Sequence, residues 1–146
     1  MFSFLKKLFP SKQKQRIAIN HDQLGYINFD AASGFWETID SAIFHSVPGD
    51  EQGPDPKAVD VIITKLQDLD KYWKICSVEL LSIASQWSSI PPSLPAKSLF
   101  KVAAISINSI EELDWEVCFE SKPEHKWLYI GIQFNGDSIV ANDIST

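Results

Sequence analysis

The chain has little of what most readily betrays a reaction. Only two cysteines, Cys76 and Cys118, stand among its 146 residues. Each lies in an apolar segment, and neither has a Cys or His at metal-ligand spacing, so zinc is not expected. They read as buried thiols in a reducing compartment rather than as a disulfide. There is no GxGxxG, no Walker loop, no GxSxG elbow and no D-x-D-x-D-G loop. Nucleotide binding, hydrolase chemistry and calcium ligation therefore have no sequence support, and no cofactor or metal is expected. No run approaches the ~18 apolar residues that span a membrane. The apolar start MFSFLKKLF is broken by Lys6 and Lys7 before it can form the core of a signal peptide. A cytoplasmic protein is expected.

Basic side chains are scarce beyond the first residues. The net charge is −6, but residues 1–16 carry five bases and no acid, which leaves 8 bases against 19 acids, a charge of −11, on residues 17–146. An acidic body repels phosphate backbones, so nucleic acid is not an expected partner. The same field steers a basic protein partner. Residues 1–15 read as a basic amphipathic segment with a linker, and residues 16–146 as one domain. Contact of that segment with a membrane surface is one reading: Phe2 and Phe4 would enter the interface, and Lys6 and Lys7 would meet anionic headgroups. A helical turn packed on the domain and a solvated tail are the others.

What the chain does have is one long helical stripe. Within residues 56–87, Val59, Ile62, Ile63, Leu66, Leu69, Trp73, Cys76, Leu80, Ile83 and Trp87 recur at the 3.6-residue period. Asp55 precedes Pro56 as an N-cap precedes a proline at the first helical position, and Pro91 and Pro92 bar any continuation of the helix. A break is expected near residues 70–74. Strands are expected at 26–29, 35–39 and 42–47 before the helix, with a β-prone run at 16–20. Four more are expected after it, at 99–108, 115–120, 127–134 and 138–141. Asn135 and Gly136 supply a two-residue hairpin turn. Phe100, Val102 and Ala104 are expected on one strand face. The fold class is α+β: a mostly antiparallel sheet covered by one long helical region, in the order β-β-β-α-β-β-β-β.

Candidate chemistry is sparse. His21, His45 and His125 are far apart in sequence. A nucleophile needs a base within hydrogen-bond reach, and Cys118 with His125 is the pair that offers a small enzyme site; the stronger reading of the two is a strand-interior thiol and a histidine in a charged turn. Two acidic groups stand out, Asp50, Glu51 and Asp55 before the helix, and Glu111, Glu112 and Asp114 beside Trp115. They read either as solvated loop acids or as a partner-binding surface, with Trp115 as its aromatic contact.

The order of elements resembles small bacterial immunity-type proteins of the polymorphic-toxin kind. The residues that carry the resemblance are LGYINFD at 24–30, FWETI at 35–39, ELLSIASQW at 79–87 and WLYIGIQFNGDSI at 127–139. It implies a non-enzymatic protein that neutralises a cognate toxin by direct binding. The acidic body would suit a basic toxin domain. A regulatory or structural domain at the inner membrane face, acting through residues 1–9, is the remaining alternative.

Overall fold

The computed structural model describes residues 17–87 and 93–146. The expected membrane-contact segment with Phe2, Phe4, Lys6 and Lys7 lies outside the described residues. Four strands open the fold: β1 (Ala18–His21), β2 (Gly25–Asp30), β3 (Phe35–Thr38) and β4 (Phe44–Asp50). A two-residue β5 (Gly53–Pro54) leads into helices α1 (Pro56–Gln67) and α2 (Leu69–Trp87), then the short α3 (Ala96–Leu99). Four longer strands close it: β6 (Phe100–Ser109), β7 (Asp114–Ser121), β8 (Tyr129–Asn135) and β9 (Ser138–Ser145).

Among the described residues, all nine strands form one sheet in the order β1-β2-β3-β4-β6-β7-β8-β9, with β5 paired to β4. The expected α+β plan holds, with one pair that hydropathy patterning does not reveal. β4 and β6 run parallel, matching Phe44 with Ala104, His45 with Ile105 and Ser46 with Ser106. Parallel neighbours cannot be joined by a hairpin, so the crossover between them must carry the helices over the sheet. Two antiparallel meanders are thereby welded edge to edge.

The helices bury one face of the sheet. Ile27, Trp36 and Val47 from the first meander and Ile105, Trp115, Val117, Phe119, Ile130, Ile132 and Phe134 from the second are all nearly inaccessible. β7 and β8 alternate regularly, with Trp115, Val117 and Phe119 and with Ile130, Ile132 and Phe134 turned inward. β6 does not. The register slips between Val102 and Ala104, so Ala103 is an extra residue, and the bulge reverses the strand's facing. Phe100 and Val102 join the core with Ile105 and Ile107, whereas Ala104 pairs with Cys118 on the opposite face.

The helical stripe is interrupted earlier than expected, at Asp68, which caps α1 by donating its backbone N–H to Thr64 O and Lys65 O. The restart at Leu69 rotates the next turn. Tyr72 is therefore buried and Trp73 only partly so, while Trp87 is 47 % exposed at the end of α2. The N-cap is as expected: the Asp55 Oδ1 accepts from Lys57 N at 2.9 Å. The hairpin turn falls one residue late, on Gly136 and Asp137. Gly136 takes φ +61°, as a glycine at the first central position of a tight hairpin does. Both cysteines are free and buried. No helix among the described residues is long and apolar enough to cross a membrane.

His45 is a largely enclosed side chain whose protonation opposes this fold. It points into the core from β4, opposite Ile105, and neither buried ring nitrogen has a hydrogen-bond partner. Burial holds its pKa below the ordinary 6.5. Below that value the unfolded chain binds a proton that the folded chain resists, so stability is intact above about pH 6.5 and falls as the pH drops through the folded value. The melting temperature should decline between about pH 7 and about pH 5. His45→Phe keeps a planar ring, loses no hydrogen bond and should flatten that decline. An unchanged slope in the variant would assign the acid sensitivity elsewhere.

Candidate functional site

The parallel pair sets the geometry of the site. Because β4 and β6 point the same way, their C-terminal ends lie at one end of the sheet. β7 starts there and β8 finishes there, as the register Ser109–Asp114–Asn135–Ser138 across β6 to β9 shows. The two acidic groups, far apart in sequence, are therefore carried to the same end on neighbouring strands. Asp50 and Glu51 sit on the β4–β5 turn, Asp55 at the start of α1, and Glu111, Glu112 and Asp114 on the β6–β7 turn.

Their carboxylates do different things. The Asp50 Oδ1 accepts from Gln52 N at 2.9 Å, and Asp55 is occupied as the helix cap. The Asp114 Oδ1 accepts from Asn135 Nδ2, which also donates to Glu112 O. Asn135 is thus freed from the turn itself and ties the hairpin to the acidic turn. Among the described residues, no hydrogen bond or ion pair engages the carboxylates of Glu51, Glu111 or Glu112, and all three side chains are exposed. They are the part of the expected surface that is available to a partner.

Trp115 is not. It is 2 % exposed, stacks on Phe134 with ring centroids 4.5 Å apart and meets the edge of Tyr72 at 4.7 Å. Its indole N–H donates to Gly136 O at 2.7 Å. The expected aromatic contact is therefore a core residue beneath the turn. The apolar group that does reach the surface is Leu113, 53 % exposed. Its only signal in the sequence is a leucine set between acids in the run Glu111, Glu112, Leu113, Asp114.

A second feature invisible to spacing is a clamp of Lys65, Lys71, Tyr72 and Asp137. The Lys65 ammonium lies 4.6 Å from the Trp115 ring centre and 5.0 Å from that of Tyr72, and donates to Tyr72 Oη at 2.8 Å. The Tyr72 hydroxyl in turn donates to Asp137 Oδ1 at 2.9 Å, and Lys71 reaches Asp137 Oδ2 at 2.6 Å. Desolvation holds the Lys65 pKa below its ordinary value, while the hydrogen bonds from Lys71 and Tyr72 hold the Asp137 carboxyl below its own. Asp137 is therefore matched by nearby cations. The clamp fastens the hairpin to both long helices.

Between α1 and the acidic turn lies a cavity of about 50 Å3. Val61, Ile107, Ile110, Leu113 and Trp115 form its apolar wall, with Lys65 beside them.

Among the described residues, no hydrogen bond joins Cys118 to His125, the other candidate pair. Cys118 sits mid-strand on the face away from the helices, its Sγ 3.5 Å from Glu116 Oε1. His125 lies in the β7–β8 loop, where its backbone N–H donates to Lys122 O. Burial first, and then the Glu116 charge, push the Cys118 thiol up to about 12, so it stays protonated at neutral pH. Among the described residues, no group of three or more His, Cys, Asp or Glu side chains is placed to hold a metal ion. Comparison with protein families, with curated proteins and with solved structures returned no match.

Proposed function

We propose that this protein is a non-enzymatic, immunity-type binding protein that neutralises a basic toxin domain by direct contact in the cytoplasm. The observation that carries the reading is the set of carboxylates of Glu51, Glu111 and Glu112, unengaged among the described residues, on neighbouring turns at one end of the sheet. A cationic surface docking there would replace no ion pair of those groups among the described residues. The protonated, carboxylate-flanked Cys118 supports binding over thiol catalysis.

Electrostatic complementarity of this kind acts mainly on the association rate. The Glu51, Glu111 and Glu112→Gln triple variant should fold normally, because none of the three carboxylates bonds to another of the described residues. It should associate about tenfold more slowly with the partner at low salt. Its rate should also depend less on ionic strength. The partner is obtained by affinity capture from the host, and rates are measured at low and high salt. An acidic partner, a salt-independent rate or capture of no protein would remove this reading.

A further inference from the structure

We propose that the cavity beneath the β6–β7 turn is the anchor pocket of this surface, and that it takes one aliphatic side chain flanked by lysines or arginines on the partner. The inference rests on the reading of the acidic end as a site for a basic protein and names the partner's contacting chemistry. The apolar wall is formed by Val61, Ile107, Ile110, Leu113 and Trp115, and Lys65, Ser109 and Asp114 also line the cavity of about 50 Å3. That is room for about three water-sized bodies, and so for the branched end of a leucine. Water gains little there, because the wall offers it few polar partners.

Leu113 marks the mouth. It lines the cavity, remains 53 % exposed and adopts φ +53°, a left-handed conformation that a leucine enters only at a cost. Asparagine or glycine would serve the turn better, so the leucine is explained by what it touches rather than by the backbone. The turn is held in that shape by two backbone bonds: Leu113 N–H donates to Ile110 O, and Gly136 N–H donates to Leu113 O. Glu111 and Glu112 immediately precede Leu113 with their carboxylates unengaged among the described residues. The lining cation, Lys65, is already matched by Asp137 at 3.7 Å, so an apolar depression whose mouth residue directly follows these two carboxylates has the anatomy of a binding hot spot beside a polar rim. Charge complementarity fixes the occupant's flanks as basic, and the apolar wall fixes its centre as aliphatic.

The test uses the full chain, isotope-labelled, and two synthetic probes: a lysine-glycine peptide with one central leucine, and the same peptide with alanine there. Titrations follow the Trp115 indole N–H and the Ile110 and Leu113 methyl resonances. The leucine peptide should shift all three and bind roughly tenfold more tightly than the alanine peptide. Val61→Phe, which fills the cavity, should abolish that preference while both peptides keep the weaker affinity. Leu113→Asn is the second variant. It relieves the left-handed leucine, so it should melt no lower than wild type and still lose the leucine preference. Equal affinity for the two peptides in the wild-type chain would overturn the pocket while leaving the acidic surface standing. Binding of neither peptide, or equal binding of an otherwise identical glutamate-flanked leucine peptide, would overturn both.

Discussion

Replacing Ile62 by aspartate is expected to cost the fold about 4 kcal/mol or more. Ile62 is completely inaccessible on α1, in the helix that contacts both β4 and β6. Its side chain alone is worth about 1.5–3 kcal/mol in burial. The carboxylate that replaces it would face the apolar side of the sheet and must be buried unpaired or protonated. Against a net stability of ~5–15 kcal/mol for a domain of this kind, such a loss unfolds a substantial fraction of the chain. The neighbouring Ile63→Asp should be milder, because Ile63 is only partly buried at the edge of the core and its carboxylate can turn toward water. Urea unfolding of the two variants side by side decides the matter. A larger loss at Ile63 than at Ile62 would mean that α1 faces the sheet with a different side.

That comparison shows where the helical period is informative and where it fails. Period alone places Ile62 and Ile63 together on the apolar stripe, since they are adjacent on the same wide face. It cannot say which one points at the sheet, because that depends on how α1 is set over the parallel β4–β6 pair. The same limit appears at Trp73. The stripe runs smoothly through residues 56–87 only if the helix is continuous, and the stop at Asp68 re-phases the turns beyond it. Tyr72 then takes the inward position, where its hydroxyl finds Lys65 and Asp137. A buried tyrosine needs such a partner, and Asp137 sits on a hairpin 65 residues away, beyond the reach of local patterning.

The strands are legible where the pleat is regular. Leu128, Ile130, Ile132 and Phe134 alternate cleanly, and so do Trp115, Val117 and Phe119. Where a bulge inserts Ala103, the period of two breaks, and small residues on both faces give no warning of it. The two acidic groups are visible in the sequence, but their shared position is not. It comes from the parallel pairing of β4 with β6, a long-range choice made by the crossover. Trp115 is visible too, but its neighbours mislead. An aromatic beside acids reads as a surface contact, whereas strand alternation at that position directs it inward, and alternation wins.

Gly49 is expected to tolerate no side chain, for a reason unrelated to unusual backbone angles. A Cβ at this position would run into Gly53 O and would lie 2.7 Å from Pro54 Cα and 2.8 Å from Trp36 Cδ1. Two of these atoms belong to the backbone of the β4–β5 turn. The third belongs to an indole that is itself buried and held by its N–H bond to Asp50 O at 2.8 Å. None can move without opening the turn, so Gly49→Ala should cost about 2–3 kcal/mol. Gly131 provides the contrast. A Cβ there would meet the Glu116 carboxylate at 2.8 Å, but that group is the far end of a flexible side chain on the face away from the helices. Glu116 can swing aside, giving up its contacts with Gln133 and Cys118, while the strand gains from a residue with less backbone freedom to lose. Gly131→Ala should therefore stay within ~1 kcal/mol of wild type. Thermal and urea unfolding of the two variants measures the difference. Because Gly49 directly precedes Asp50 and Glu51, its variant should also displace the first acidic turn and slow association with a basic partner, while the Gly131 variant associates as the wild type does. Equal losses at the two glycines would show that the close approach at Gly49 is relieved by movement elsewhere in the turn.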